Sequence, residues 1–181
     1  DNSWGVKRIG AGAVHVGGNT GLGVKIGIID SGVNYAHPDL DGVYAGGYDF
    51  VQNDNDPMDV YGHGTHVAGT ACAEDNDFGV VGVAPNCALY SLRVLNDDGV
   101  GQWSKVIAAM DWAVTNRLQV VNLSLGSSKN PGTAVKTAFG NAEARGIVIA
   151  AAAGNSGNTA GKGNNIIYPA KYASVIAVGA T

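Results

Sequence analysis

Five short apolar segments recur along the chain, and most of them are separated by segments with a helical pattern. The apolar segments are rich in Val, Ile, Leu and Ala and lie at 24–30, 88–94, 119–125, 146–152 and 173–178. Such runs are typical of strands that are covered on both faces, as in a parallel sheet. Helical patterns lie at 63–73, 104–117 and 131–145. This alternation predicts an α/β fold: a parallel β-sheet with right-handed crossovers and helices on both faces.

Each helical segment has features that predict how it packs or where it ends. The pattern at 104–117 places six apolar side chains on one face, namely Val106, Ile107, Ala109, Met110, Ala113 and Val114. The segment 131–145 is followed by Gly146, a residue type that favours the position just after a helix. The segment 63–73 contains Gly and Thr, which are poor formers of exposed helices, so we expect it to be buried.

Length and composition fit one domain over residues 1–181. The chain is 45% apolar and 14% charged, which permits a packed core and excludes disorder. A net charge of −4 without a basic face argues against nucleic-acid binding. No apolar run reaches the ~18 residues that a membrane span needs. The first residues are neither an initiator Met nor a signal peptide, so if the protein is secreted its targeting segment has already been removed.

Polar residues stand where three of the predicted strands end. They are Asp30, the Ser124-Leu125-Gly126 step and Asn155. The carboxyl ends of parallel strands meet at one edge of the sheet, where ligands bind. An isolated Asp is more often a turn or helix-cap residue, and Asn155 on its own would be an ordinary turn former. At a shared edge, however, Asp30 is suited to orient an imidazole and Asn155 to donate to a developing oxyanion.

His63 opens the segment Gly-His-Gly-Thr-His-Val-Ala-Gly, in which His66 follows three residues later. Two His residues invite a metal interpretation, but the Glu of a His-Glu-x-x-His helix is absent. A lone His is usually a hydrogen-bonded structural residue. A neutral His at a helix start, paired with a carboxylate, is suited to general-base work.

Four motifs together resemble those of the subtilisin-family serine proteases, in order and in spacing. They are Asp30-Ser31-Gly32-Val33, His63-Gly64-Thr65-His66-Val67-Ala68-Gly69, Ser124-Leu125-Gly126 and Ala151-Ala152-Ala153-Gly154-Asn155-Ser156-Gly157. The resemblance runs from about residue 4 to residue 181. One such motif would be weak, whereas four in order are specific.

The resemblance implies a subtilisin-like fold and broad endopeptidase activity on polypeptides. By that resemblance Asp30 holds the imidazole tautomer, His63 is the general base and Asn155 donates to the oxyanion. Extended substrate would pair like an added strand with two backbone segments. These segments are Gly99-Val100-Gly101 and Ser124-Leu125-Gly126.

The nucleophilic Ser of the family lies in a Gly-Thr-Ser-Met-Ala type motif downstream of the Asn, and these 181 residues contain no such segment. Ser31, Ser124 and Ser156 lack the family's context. We therefore expect a domain that is incomplete at its C-terminus and inactive by itself. The expected protein partners are the missing C-terminal part, in the same chain or a separate one, and a propeptide.

Three other functions compete with this interpretation. The first is a truncated, catalytically inactive fragment that binds extended peptides. The second is a nucleotide-binding domain, which is disfavoured because Gly21-Leu22-Gly23 precedes its strand instead of following it. The third is an enzyme with a cysteine nucleophile, which is disfavoured because neither Cys72 nor Cys87 lies beside His63 in the recognised pattern.

Calcium is the cofactor that the resemblance implies. The acidic segment 73–80 would otherwise be a solvated loop, and its spacing does not fit an EF-hand. By the resemblance, the ligands are the side chains of Asp39 and Asn76 and the carbonyls of Glu74, Phe78 and Val80. A second, weaker site would use the carbonyls of Ala170, Tyr172 and Val175.

Three local features leave alternatives open. Cys72 and Cys87 are either bridged across this loop or buried as free thiols. The acidic residues Asp54, Asp56 and Asp59 indicate a solvated surface loop. Residues 156–165 are uncharged except for Lys162, and Ile166-Ile167 follows, which favours medium-sized apolar side chains in the main specificity pocket.

Overall fold

The computed structural model describes residues 4–160 and 162–180. Within these residues one parallel sheet of six strands runs in the spatial order β2-β3-β1-β4-β5-β6. The strands are β1 (Lys25–Asp30), β2 (Tyr44–Asp49), β3 (Ala88–Arg93), β4 (Val120–Leu123), β5 (Val148–Ala152) and β6 (Ile176–Val178). The α/β class and the parallel sheet are confirmed.

Helices cover both faces of the sheet, as predicted. They are α1 (Trp4–Arg8), α2 (Ala11–Val16), α3 (His63–Cys72), α4 (Trp103–Thr115) and α5 (Thr133–Ala144). The buried side chains of α4 and α5 pack with Val121, Leu123 and Ile149 in the larger apolar core. Those of α3 pack with Ile28 and Leu89 in a smaller core on the opposite face. Residues of β1 alternate between the two cores because successive side chains of a strand point to opposite faces.

The predicted segments are mostly right in place and too long at their ends. The segment 119–125 forms a strand only over Val120–Leu123, and the segment 173–178 only over Ile176–Val178. On α4, Val106, Ala109, Met110 and Ala113 are buried as predicted, whereas Ile107 and Val114 are partly exposed. Gly146 follows α5 with φ +88°, the left-handed conformation that favours glycine after a helix.

The expectation that 63–73 is buried is right for one side of α3 only. Gly64, Ala68 and Cys72 are buried, whereas His63 and His66 are exposed.

The sequence did not reveal β2 because its Tyr-Ala-Gly-Gly-Tyr-Asp segment has no apolar run. Gly47 explains the composition: a Cβ there would overlap the backbone of Ser91 on β3. Only glycine therefore lets the two strands approach at this point. The helices α1 and α2 were also not predicted, since each spans fewer than two full turns.

The order of the strands places a topological switch point at β1. From β1 the chain builds β2 and β3 on one side and then returns to build β4, β5 and β6 on the other. In open α/β sheets, ligands bind outside the carboxyl ends of the strands at such a point. Asp30 is the last residue of β1. The fold therefore brings Asp30 to the expected position for a functional site.

Cys72 and Cys87 form a disulfide with Cα atoms 6.2 Å apart. These residues are therefore bridged and are not buried free thiols. The bridge joins the end of α3 to the residue before β3, and both side chains are buried. In the described part of the chain, no helix combines the length and the apolar character that crossing a membrane requires.

Candidate active site

Asp30 and His63 form a hydrogen-bonded pair at the carboxyl edge of the sheet. Nδ1 of His63 lies 2.8 Å from Oδ1 of Asp30. A carboxylate only accepts hydrogen bonds, so the Nδ1 position carries the proton and Nε2 is left as the acceptor. Asp30 is fully buried, whereas the His63 side chain is 44% exposed. The buried carboxylate of Asp30 therefore orients the His63 imidazole, and the Nε2 atom of that imidazole can accept a proton from solvent or substrate.

The environment of Asp30 shifts its titration. Burial raises the pKa of Asp30 above its ordinary value, and the hydrogen bonds from His63 and from the Ser31 backbone N–H oppose this shift only in part. Its Oδ2 atom is buried and has no hydrogen-bond partner within the described residues. A carboxylate that is poorly solvated in this way favours a cation beside it, such as the imidazolium that forms during general-base catalysis.

The start of α3, which carries His63, is held by Asp59. The Asp59 Oδ1 atom accepts from the backbone N–H of Gly62 at 2.9 Å, and Oδ2 accepts from the Thr65 N–H at 2.9 Å. These N–H groups belong to the helix N-terminus, where backbone donors have no partner within the helix. Because Gly62 itself has no side chain, Asp59 caps the helix from three residues upstream of it.

Asp59 is therefore not part of a solvated surface loop, and that expectation is wrong for this residue. The Ser31 and Thr65 hydroxyl groups also donate to its carboxylate, at 2.9 and 2.6 Å. Burial by itself would raise the pKa of Asp59, but these hydrogen bonds and those from the backbone lower it below its ordinary value. Asp54 and Asp56 are exposed, as expected.

A cleft of about 530 Å³ adjoins His63 and is lined by both predicted substrate segments. Gly99, Val100 and Gly101 are among the residues that line it, together with Ser124, Leu125 and Gly126. The apolar part of the lining comes from Tyr61, Leu95, Trp103, Val106 and Leu125. The structure thus brings both segments to one cleft beside the imidazole.

Glycines in these segments are required by close contacts. Gly99 has φ +72°, and a Cβ there would lie 2.7 Å from the ring of Tyr61. A Cβ on Gly101 would lie 2.6 Å from the Leu95 side chain, and one on Gly126 would overlap the carbonyl of Tyr168. The walls of the cleft are therefore bare backbone at three places, which suits main-chain pairing with a peptide.

Asn155 lies at the same edge of the sheet, three residues after β5, and its side chain is exposed. It is not among the described residues that line the cleft beside His63. The predicted proximity of Asn155 to the Asp–His pair stays a prediction. Ser31 is engaged with Asp59, and the Ser124 hydroxyl oxygen accepts from the Asn122 amide at 3.0 Å.

The predicted calcium loop packs against Asp39. The backbone N–H of Glu74 donates to the carbonyl of Asp39, and the N–H of Val80 donates to Asp39 Oδ2 at 3.0 Å. The other oxygen, Asp39 Oδ1, is buried without a hydrogen-bond partner in the described part of the structure. The loop Asn76 amide donates to the carbonyl of Pro38 and leaves its Oδ1 to the Phe78 N–H. The orphaned carboxylate oxygen fits a hard cation that prefers oxygen ligands.

The second predicted cation site has less support. Ala170 and Tyr172 are buried, and Val175 is partly buried. The carbonyl of Tyr172 already accepts from the N–H of Val175 at 3.1 Å. Among the described residues, no group of three or more His, Cys, Asp or Glu side chains is placed to hold a metal, so any cation here would depend on carbonyls.

A buried ion pair near the cleft was not visible in the sequence. Nη1 of Arg93 lies 2.6 Å from Oδ2 of Asp49, and both side chains are almost fully buried. Nη2 of Arg93 also pairs with Asp97. Asp97 thereby ties the start of the Gly99–Gly101 segment to β3. The Asp49 carboxylate also accepts from the backbone N–H groups of Val51 and Gln52.

The fold and this edge define an α/β protein with a buried carboxylate and an exposed imidazole at the switch point of a parallel sheet. Residues 21–181 match the sequence profile of the Subtilase family (Peptidase_S8), and the chain belongs to this family. The identification made from the four motifs is thereby confirmed.

Several subtilisins are similar to this chain over 98% of its length. Subtilisin from Bacillus pumilus is 48% identical over 178 residues, and Subtilisin DY from Bacillus licheniformis is 50% identical over 177 residues. Subtilisin E from Bacillus subtilis (strain 168) is 47% identical over 178 residues. The chain spans 63% of the length of the first two relatives and 46% of the third.

Proposed function

We propose that the chain is the N-terminal part of a subtilisin-like serine endopeptidase, which hydrolyses peptide bonds through an Asp-His-Ser triad. Its Ser lies outside these 181 residues. The observation that carries the proposal is the 2.8 Å contact between Asp30 and His63 beside a cleft lined by bare backbone. Membership of the subtilase family supports the same reaction.

The reaction proceeds by acyl transfer. Nε2 of His63 takes the Ser hydroxyl proton as the Ser oxygen attacks the peptide carbonyl carbon, and Asp30 stabilises the imidazolium that forms. His63 then gives the proton to the leaving amine as the C–N bond breaks and an acyl-enzyme remains. A water molecule deprotonated by His63 releases the acid and restores the Ser. Asn155 donates to the oxygen that becomes negative in both tetrahedral intermediates.

An uncovered face of the sheet supports a further segment of the same protease. Val148 on β5 and Ile176 and Val178 on β6 are 48%, 56% and 52% exposed. On β5, the buried residues Ile149 and Ala151 face α4 and α5, so Val148 points to the opposite side. Parallel sheets are normally covered on both faces. We infer that the C-terminal part of the protease covers this face, either as a continuation of the same polypeptide or as a second chain.

The two main candidate functions are separated by covalent labelling of the purified protein with a fluorophosphonate, followed by denaturing mass spectrometry. Label on a segment beyond residue 181, in a longer chain or in an accompanying polypeptide, is the expected result. An unlabelled 18.3 kDa chain that binds peptides without cutting them would contradict the proposal and would leave a peptide-binding fragment as the function.

Calcium is proposed as the bound cation of the loop. Asp39 and Asn76 would hold it through side chains, and Glu74, Phe78 and Val80 through carbonyls. The Oε1 atom of the Glu74 side chain accepts from the Gly42 N–H at 2.7 Å. This bond is compatible with the proposal, because Glu74 would bind calcium through its carbonyl and not through its side chain. Bound calcium would supply charge to neutralise Asp39 and would fix the loop against α3. A second, weaker cation at Ala170, Tyr172 and Val175 is part of the same proposal.

Specificity and location complete the proposal. Ile167 packs closely beside Gly126 and Gly154, at the ends of β4 and β5, which supports a pocket for medium-sized apolar side chains. A cleavage profile dominated by Arg or Lys would contradict this preference. The disulfide supports an extracellular location, because such bonds persist in oxidising compartments. A propeptide remains an expected partner.

A further inference from the structure

The Ser31 hydroxyl group joins Asp59 to the backbone of α3. Its oxygen accepts from the backbone N–H of Gly64 at 2.9 Å, and it lies 2.9 Å from Oδ1 of Asp59. A backbone N–H can only donate and a carboxylate can only accept, so the Ser31 proton points at Asp59. Ser31, which follows β1, is thus hydrogen-bonded to the first turn of α3, and Asp59 holds the Ser31 hydroxyl group in the orientation that this bond needs.

Thr65 makes the reciprocal connection. Its hydroxyl oxygen accepts from the backbone N–H of Asn34 at 2.8 Å and donates to Oδ2 of Asp59 at 2.6 Å. The Thr65 hydroxyl group on α3 thus accepts from a backbone N–H in the segment after β1. The Ser31 hydroxyl group, which lies after β1, accepts in turn from a backbone N–H of α3. We name the set Ser31, Asn34, Asp59, Gly64 and Thr65 the cross-brace. Both of its hydroxyl protons end on the Asp59 carboxylate.

The cross-brace connects the two backbone segments that carry Asp30 and His63. Asp30 precedes Ser31 and also accepts the Ser31 N–H at 2.7 Å, while His63 precedes Gly64. The His63 side chain is 44% exposed, so its position depends on its bond to Asp30 and on the backbone at the start of α3. The segments have no room to move closer, since a Cβ on Gly64 would overlap the carbonyl of Gly32.

We propose that Asp59 is a positioning residue for the Asp30–His63 pair and acts through the Ser31 and Thr65 hydroxyl groups. The inference rests on the proposed protease function for its kinetic readout but not for its spectroscopic one. An Asn at this position has one acceptor and one donor group. It can satisfy the donors on only one side, so one arm of the cross-brace must be lost.

The test compares Asp59→Asn, Ser31→Ala and the control Asp56→Asn in the full-length protease. Asp56 lies in the same loop and is exposed, with Tyr35 as its hydroxyl donor. For each variant, peptide hydrolysis gives kcat and KM, and proton NMR follows the low-field signal of the His63 Nδ1–H in its bond to Asp30. Thermal unfolding is measured in parallel.

Asp59→Asn is expected to lower kcat by about tenfold to a hundredfold with little change in KM, since a misplacement of roughly 1 Å can cost about 100-fold. The low-field signal should broaden or disappear, and Asp56→Asn should retain both properties. Ser31→Ala removes one arm of the cross-brace by itself, so it should lower kcat and broaden the low-field signal in the same direction.

A different pattern overturns the inference. If Asp59→Asn lowers the unfolding temperature while kcat and the low-field signal stay as in the wild type, Asp59 is a helix cap only. If Asp59→Asn does not fold, Ser31→Ala decides, and a wild-type signal in that variant rejects the positioning role. Absence of hydrolysis in the wild type would reject the protease proposal, while the NMR signal would still test the cross-brace.

Discussion

Asp30 and His63 come from the end of β1 and the first residue of α3, and their side chains meet at 2.8 Å although 33 positions separate them. The carboxylate is fully buried and the imidazole is half-exposed. This asymmetry lets one partner fix the tautomer while the other reaches a substrate. The pair is costly to the fold, because a buried carboxylate with one unpartnered oxygen is poorly solvated.

Replacing Asp30 by Asn should therefore separate activity from stability. In the full-length protease, kcat should fall by about 10⁴-fold, as expected when the imidazole loses its orienting carboxylate. Because burial raises the pKa of Asp30, the ionised form destabilises the folded state as the pH rises above the ordinary value of 3.8. The variant should thus unfold at a higher temperature than the wild type at neutral pH, and this advantage should vanish below about pH 3.8.

Calorimetry at several pH values measures this difference, with Asp98→Asn as the control. Asp98 is an exposed acid in a turn, so its replacement should leave the pH dependence unchanged. A variant at Asp30 that is less stable than the wild type at neutral pH would show that the carboxylate stabilises the fold, against this account.

The ion pair between Arg93 and Asp49 should be important for stability. Arg93→Met should lower the free energy of unfolding by about 3–5 kcal/mol, because it leaves the Asp49 carboxylate buried without its charged partner. Urea unfolding measures the loss, and Lys129→Met is a control at an exposed cation. Restoring most of the stability with Asp49→Asn in the Arg93→Met background would identify the unpaired charge as the cause. A loss under 1 kcal/mol would contradict the assignment.

The general fold followed from the sequence because its strands are apolar and its helices are periodic. The residues 24–30 and 88–94 are mostly apolar, as is typical of buried strands, and 104–117 has a single apolar face. The strand β2 was not predicted because its glycine content reflects a contact with a neighbouring strand and not the local sequence pattern. Gly47 is required by the backbone of Ser91, a residue 44 positions away that no local pattern reveals.

The disulfide should stabilise the loop that precedes β3. Replacing Cys72 and Cys87 together by Ala should lower the free energy of unfolding by about 3 kcal/mol, since the bridge closes a loop of roughly 16 residues. Denaturant unfolding at a fixed calcium concentration measures this loss. Treating the wild type with a reductant should reproduce it, and the double Ala variant should not respond to the reductant. Equal stability of the oxidised and reduced wild type would contradict the prediction.

Calcium binding should depend on Asp39. Isothermal titration of the full-length protease with calcium should show at least tenfold weaker binding for Asp39→Asn, because the buried oxygen loses its charge. Asp41→Asn is the matched control, since Asp41 is exposed and lies two residues away. Chelation should lower the unfolding temperature of the wild type more than that of Asp39→Asn. Unchanged affinity in Asp39→Asn would remove this residue from the ligand set.

The site itself was only partly predictable. Asp30 and His63 were identified from motifs, because the family requires them in fixed contexts. Asp59 was assigned to a solvated loop, because acidic residues in polar segments are usually exposed. Its role depends on hydroxyl groups of Ser31 and Thr65, which come from two other parts of the chain. The spacing of residues along the sequence does not reveal that these two hydroxyl groups meet at one carboxylate.

Peptide hydrolysis by the full-length protease and its His63→Ala variant tests the central claim most directly. The wild type should cleave an unstructured polypeptide, and kcat/KM should fall by at least about 10⁴-fold when the general base is removed. His15→Ala, which changes a histidine on α2 outside the cleft, should retain the wild-type rate. A kcat/KM in the His63→Ala variant within about tenfold of the wild-type value would contradict the assignment of the Asp30–His63 pair as the catalytic centre.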